Sequence, residues 1–327
     1  MDTGLDSQRD LPADWSVPLA GVQRQLFSAH LILLNRMLRK SAMVDYAEFA
    51  SANLLERRII FALTRIERAR VSELATLLGN DIAQISRTLS ALKTQRLVTR
   101  ERQRDPYELT PAGLKLGEQM DKIALRREHD LAAGMKPLDM FELAGMLDNL
   151  TRKAISILTD EMARMRDVEE VEDADAPGRA EIASRIQPAV AALSTTVMRA
   201  ATLAFKRLTG LSNYEWRVLA IVADRQSPSF SRLVEHVDSD KAQLSRALGR
   251  LIEGGMLRRT GKAEGRQVHF EMTAEGRRVH DTLRADALRR NAIMIEDLTE
   301  AQRSRLMDRL HLLIENATLM SRRAQGE

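Results

Sequence analysis

The sequence predicts a mainly α-helical protein in which one structural unit is used twice, and three observations carry that prediction. Aromatic residues make up only 4% of the chain and the eight prolines sit mostly at segment ends. Together with plentiful Leu, Ala, Arg and Met, this favours helices over a β-sandwich or barrel. The length of 327 residues suits two domains at roughly 100–200 residues each. Most tellingly, a shift of 159 residues lays Glu56–Arg100 on Glu215–Arg259 without a gap, with 12 of 45 pairs identical. The identities include Glu56/Glu215, Arg58/Arg217, Asp81/Asp240, Ala83/Ala242, Gln84/Gln243, Ser86/Ser245, Arg87/Arg246, Leu89/Leu248 and Leu92/Leu251. Self-similarity of this kind marks a repeated architecture.

The repeats run over residues 15–165 and 183–324, separated by an acidic stretch at 166–182 that holds Asp167, Glu169, Glu170, Glu172, Asp173 and Asp175. Such a charge run reads as a solvated linker. With no cysteine in the chain, disulfides, thiolate metal sites and thiol redox switches are excluded, and a reducing, cytoplasmic setting is expected. No run approaches the ~18 apolar residues of a membrane span, and Asp2, Asp6, Asp10 and Asp14 make the start too acidic for a signal peptide. No membrane partner is expected.

Each repeat opens with a long helix, expected over Pro18–Arg39 and Pro188–Leu208, with proline suited to the first turn. A second helix follows near Leu54–Arg68 and Asn213–Arg225, placing Ile59, Ile60 and Leu63, or Val218, Leu219 and Val222, on a core face. Short helices at Ser72–Leu78 and Ser231–Val237 begin at serines able to cap them. Tight turns at Gly79-Asn80 and Asp238-Ser239 lead into helices over Asp81–Gln95 and Asp240–Glu253, with Asn80 and Ser239 as expected caps. Two helices joined by so short a turn form a helix-turn-helix.

At ~100° per residue, Ile85, Leu89 and Leu92 share one stripe of the second of these helices, as do Leu244, Leu248 and Leu251. The opposite face carries Ala83, Arg87, Ser90 and Thr94 in one repeat and Ala242, Arg246, Gly249 and Glu253 in the other, with Gln84, Ser86, Gln243 and Ser245 beside it and Lys241 and Arg250 adding charge on the second helix. Small side chains around one arginine allow close approach to a groove, while Arg and Gln can make forked contacts with guanine and adenine edges. These residues are therefore the candidate DNA-reading set.

Alternating segments at Leu97–Arg102 and Tyr107–Leu109, and at Met256–Thr260 and Val268–Met272, predict a β-hairpin in each repeat. Arg100, Arg102 and Arg104 make the first hairpin basic, and Arg258, Arg259, Lys262 and Arg266 the second. From Asp81 to Glu108 six basic residues face four acidic ones, and from Asp240 to Glu271 seven face four. The overall charge is only +4, so its concentration on the helix-plus-hairpin unit is the informative feature for a phosphate-lined partner. Threonines at 110 and 273 cap the next helices, expected at Pro111–Leu131 and Ala274–Ile293, and final helices are expected at Leu138–Met165 and Thr299–Arg322.

The order of these elements, with Leu244-Ser245-Arg246-Ala247-Leu248, Gly255-Met256-Leu257 and Met272-Thr273-Ala274-Glu275-Gly276, resembles the MarR family of winged helix-turn-helix transcriptional regulators. The first repeat resembles it through Ile85-Ser86-Arg87-Thr88-Leu89 and Leu109-Thr110-Pro111-Ala112-Gly113. Glu264-Gly265-Arg266 is similar to the family's acid-x-Arg wing tip, with Glu for Asp, whereas Arg104-Asp105 in a wing four residues shorter is a loose substitute.

What the resemblance implies is a mainly α fold of two winged helix-turn-helix repeats whose long flanking helices pair as an intramolecular pseudo-dimer. A dimer of two-domain chains is the alternative. It further implies a partner, double-stranded DNA, and release by a small organic effector; the differences between the two faces at Ile82/Lys241, Ser90/Gly249, Ala91/Arg250 and Thr94/Glu253 make the expected site an imperfect palindrome. Expected pocket walls lie near Leu26, His30, Leu34 and Ile59, and near Val197, Phe205, Trp216 and Val218, with Arg58 and Arg217 as counter-charges; the pocket itself is not assigned. The six histidines form no metal-ligand pattern and no catalytic motif stands out, so no enzyme activity, metal or cofactor is expected. The competing function is a winged-helix interaction or scaffold module that no longer binds DNA.

Overall fold

The computed structural model describes residues 26–47, 53–102, 105–165, 185–225, 227–237, 241–261 and 268–325. The acidic stretch and the residues before Leu26 lie outside these. The chain divides into two compact units that do not follow the repeat boundaries. The larger unit holds Phe27–Ala204 and Arg289–Glu327; the smaller holds Phe205–Leu288 with Leu26.

In the larger unit α2 (Leu54–Ile66), β1 (Arg68–Ala69), α3 (Val71–Leu78), α4 (Ile82–Thr94), β2 (Val98–Thr99) and β3 (Tyr107–Leu109) follow one another along the chain. Asn53 Oδ1 accepts from the Leu55 and Glu56 amides at 2.9 and 3.0 Å, and the Asn53 amide donates to Glu56 Oε2 at 2.6 Å. This reciprocal cap fixes where α2 begins. The helix ends at Ile66 rather than Arg68, because Arg68 and Ala69 leave it to pair with Glu108 and Tyr107 of β3. The sheet order is therefore β1-β3-β2, and β1 is a strand the sequence does not reveal.

Two expected caps move. α3 starts at Val71, where the Arg70 amide donates to Glu73 at 2.6 Å, so Ser72 lies inside the helix. α4 is capped by Asp81, which accepts from the Gln84 amide at 2.8 Å, and Asn80 is released for other contacts. Ile59, Ile60, Leu63, Leu74, Leu78, Ile85, Leu89, Leu92, Val98 and Tyr107 close the core beneath these elements. Burying side chains of this size stabilises by about 1.5–3 kcal/mol each.

The long helices of this unit are α1 (Phe27–Asp45), α5 (Pro111–Leu131), α6 (Pro137–Met165), α7 (Ile186–Thr209, to Ala204), the last turns of α11 (Ala274–Ile295) and α12 (Glu300–Gln325). α1 extends past the expected Arg39 because its last turns are held from outside. Arg127 of α5, fully buried, donates to Leu38 O at 2.9 Å and Ser41 Oγ at 3.0 Å and pairs with Asp45. α1 packs along α12, and Asn316 of α12 reaches Leu131 O and Ala133 O at 2.8 and 2.9 Å. At the start of α7, the Ile186 and Gln187 amides donate to the Glu128 carboxylate. Asn35 of α1 donates to Ser194 of α7 at 3.1 Å. Those two positions are 159 residues apart, the repeat offset itself. α7 is long and apolar enough to span a membrane by composition, contrary to the sequence expectation, but 56% of its apolar window is buried within the protein.

The smaller unit holds α8 (Asn213–Arg225), α9 (Phe230–Val237), α10 (Lys241–Glu253), β4 (Leu257–Thr260) and β5 (His269–Met272), followed by α11 as far as Leu288. β4 and β5 pair antiparallel from Leu257↔Met272 to Thr260↔His269. Ser229, not Ser231, caps α9 by accepting from the Arg232 amide at 3.4 Å. Val218, Leu219, Val222, Leu233, Leu244, Leu248, Leu251, Leu257 and Phe270 are buried.

Candidate nucleic-acid interface

The recognition-helix stripe behaves as expected. Ile85, Leu89, Leu92, Leu244, Leu248 and Leu251 are buried, which turns the other face of α4 and α10 outward. Ala83, Gln84, Ser86, Arg87 and Ser90 are exposed on α4, and Lys241, Ala242, Gln243, Ser245, Arg246 and Arg250 on α10. Ser90 and Thr94 spend their hydroxyl protons on Ser86 O and Ser90 O at 3.0 and 3.1 Å, leaving oxygen lone pairs outward. Among the described residues, neither the Arg87 nor the Arg246 side chain makes a hydrogen bond or ion pair. An exposed guanidinium with five donors and no internal partner suits an external carboxylate, phosphate or base edge.

Arg250 is different. It pairs with buried Glu215, whose carboxylate also accepts from the Ser212 amide and hydroxyl at 2.8 and 2.7 Å. Burial pushes the Glu215 carboxyl upward, but these bonds and the arginine outweigh it and hold it below the usual glutamate range. The first repeat solves the same problem with a neutral group: Gln95 at the end of α4 donates to Glu56 at 3.1 Å. The Glu56/Glu215 identity thus has a structural cause, since each carboxylate caps its helix and ties it to the recognition helix. Arg250 therefore belongs first to this brace.

The helix-turn-helix turn of the first repeat is gripped from two sides. Arg58 donates to Leu78 O at 2.7 Å and Asn80 Oδ1 at 3.1 Å, so its donors hold the turn. Burial lowers its pKa to about 10, which still leaves it a cation at neutral pH. Arg199 of α7 donates to Gly79 O at 3.0 Å. Gly79 itself sits at φ +66°, with room for a Cβ already taken up by Thr196 Oγ1 at 3.3 Å. Asn80 then donates to Gln84 Oε1 at 3.0 Å. The sequence named Asn80 only as a cap and missed both its bonds to Arg58 and Gln84 and the role of Arg199. The Arg58/Arg217 identity was the available signal for the former; a contact spanning 120 residues left none for the latter.

On the first wing, Arg100 lies over the Tyr107 ring at 4.7 Å and Arg102 is exposed, with its amide donating to Asp105 at 2.8 Å. On the second, Arg258 is paired with Glu271 at 2.8 Å while Arg259 is exposed. Arg104, Lys262 and Arg266 lie outside the described residues.

The expected pocket walls are packed core: His30, Leu34, Ile59, Val197, Phe205, Trp216 and Val218 are all buried. Within the smaller unit, Phe205 stacks on Trp216 at 4.9 Å. An open cavity of about 170 Å³ lies instead between α6 and α11, lined by Lys153, Asp160, Glu161, Arg164 and Arg289 among others. Among the described residues, no group of three His, Asp or Glu could hold a metal ion.

Comparison with known proteins places a family on part of this geometry. Residues 211–276 match the winged helix DNA-binding domain family, which spans the smaller unit from the cap of α8 to the start of α11. No curated protein matches the chain. Among solved structures, a MarR/EmrR family transcriptional regulator from Acinetobacter sp. ADP1 is similar at 22% identity and a TM-score of 0.31, covering 34% of this chain and 80% of that one. BpsR of Bordetella bronchiseptica, whose DNA binding is regulated by 6-hydroxynicotinic acid, is similar at 19% identity and a TM-score of 0.29, covering 33% and 85%. None of these comparisons points to an enzyme family. Residues 211–276 are thus similar to a winged helix DNA-binding domain.

Proposed function

We propose that the chain is a transcriptional regulator that binds double-stranded DNA with two winged helices, one from each repeat, held as an intramolecular pseudo-dimer. The observation that carries the reading is the matched pair Arg87 and Arg246, exposed at the same position of α4 and α10, unpartnered among the described residues and framed by small side chains. The family match at residues 211–276 supports it for the second repeat, and the 159-residue self-similarity extends it to the first. The packing of α1 along α12 and the Asn35–Ser194 bond between α1 and α7 support pairing of the flanking helices within one chain. The wings, with Arg100, Arg102 and Arg104, and Lys262 and Arg266, contact the phosphate backbone in this reading. A small organic effector that releases DNA belongs to the same proposal, and it acts only through different affinities for two arrangements of the recognition helices. A shift in operator affinity on adding aromatic acids tests it.

The DNA reading is tested by an electrophoretic shift assay on genomic fragments at increasing salt. Each neutralised phosphate releases counterions, so affinity falls steeply, by orders of magnitude, between low salt and roughly 200 mM. Binding that ignores salt, or no binding at all, contradicts it and favours an interaction module.

A further inference from the structure

The turn of the first repeat contains a chain of side chains whose donors and acceptors are ordered in one direction only. Arginine has donors and no acceptor. Arg58 donates to the Asn80 side chain at 3.1 Å, so the atom receiving that bond must be the Asn80 oxygen. The Asn80 amide nitrogen is thereby turned toward Gln84, 3.0 Å away, and because it can only donate, the Gln84 atom facing it must be the oxygen. Gln84 is exposed near the start of the recognition helix, and its remaining amide nitrogen is left as the outward group. Amide orientations are ordinarily ambiguous; here the charge at the head of the relay removes the ambiguity. The turn that carries it is held further by Arg58 on Leu78 O and Arg199 on Gly79 O.

Resting on the DNA-binding reading above, we propose that Arg58 and Asn80 are positioning residues that make Gln84 a hydrogen-bond donor, so that the first repeat prefers guanine over adenine at the base Gln84 meets. A forked glutamine contact with adenine needs the side-chain oxygen for N6 and the nitrogen for N7, whereas guanine presents only acceptors, O6 and N7, in the major groove. With its oxygen turned toward Asn80, Gln84 presents its two amide protons outward to the guanine edge, and forming the adenine fork requires it to rotate away from Asn80. In the second repeat, Gln243 matches Gln84, but Ser239 stands at the position of Asn80.

The test is selection of bound duplexes from a random pool by the full-length chain, with Gln84→Ala identifying the base pair that Gln84 contacts. The wild-type chain is expected to favour guanine over adenine there by roughly ten-fold or more. Asn80→Asp keeps an acceptor for Arg58 but offers Gln84 only an acceptor, which turns its nitrogen inward and its oxygen outward. Preference at that one position then moves to a donor edge, cytosine N4 or adenine N6. Asn80→Ser, which copies the second repeat, admits adenine beside guanine. Unchanged preference in both variants, or adenine favoured by the wild type, overturns the relay while leaving DNA binding in place. Failure of the wild-type chain to enrich any duplex overturns the DNA-binding reading as well. Thermal melting of each variant checks that the fold is retained.

Discussion

Single residues here divide into those that brace the recognition helices and those left facing outward. Glu56 and Glu215 brace, one through Gln95 and the other through Arg250; Arg87 and Arg246 face outward. Arg87→Ala and Arg246→Ala are each expected to cost about 1–3 kcal/mol of DNA affinity and to relax base preference, while Arg266→Ala on the wing weakens every sequence alike. Titration of each variant against matched and mismatched duplexes separates the two behaviours, and equal losses on all sequences for all three remove the base-reading role. The glycines of the two Thr-x-x-Gly segments show why certain repeat identities exist. A Cβ at Gly113 would lie 2.0 Å from Leu97 O, and one at Gly276 would lie 2.1 Å from Met256 O, so the helix after each wing can approach the chain only through glycine.

Elements were legible in the sequence where periodicity and repetition reinforced one another, and less so where a long-range contact decided the outcome. α5 and α8 match their expected bounds, and the buried stripes of α4 and α10 fall where the helical spacing puts them. The end of α1 did not show, because Arg127, far along the chain, holds it. Neither did β1, whose two residues are too few for a pattern. Helix caps slipped by one or two positions because neighbouring residues such as Asn80 and Asp81 are both competent caps, and only the fold chooses between them.

Among element contacts, Asp121 of α5 joins Arg65 of α2 at 2.5 Å to Arg185, just before α7, at 2.8 Å. Burial pushes this carboxyl upward, but the bonds from Arg185 and Arg65 prevail and hold it below the usual aspartate range. A depressed carboxylate contributes stability above its unfolded value, and that contribution is lost as pH falls through the lower folded value. Asp121→Asn is therefore expected to lower the Tm at pH 7 and to change it much less near pH 3. Glu128 works in the opposite sense, since burial, outweighing the Ile186 and Gln187 amides, raises its carboxyl. An equal Tm difference at both pH values contradicts the role given to Asp121.

At the scale of the whole molecule, the proposal is that one chain carries both halves of a reader that other proteins assemble from two. The halves are not equivalent: α4 and α10 differ at Ile82/Lys241, Ser90/Gly249, Ala91/Arg250 and Thr94/Glu253. The proposal therefore expects an imperfect palindrome with half-site centres about one helical turn apart. The most direct measurement is sedimentation equilibrium of the chain with its selected duplex, which counts chains per site. One chain of 36.8 kDa per asymmetric duplex is the expected result; two chains on a perfectly symmetric duplex, or no complex, would contradict the pseudo-dimer reader.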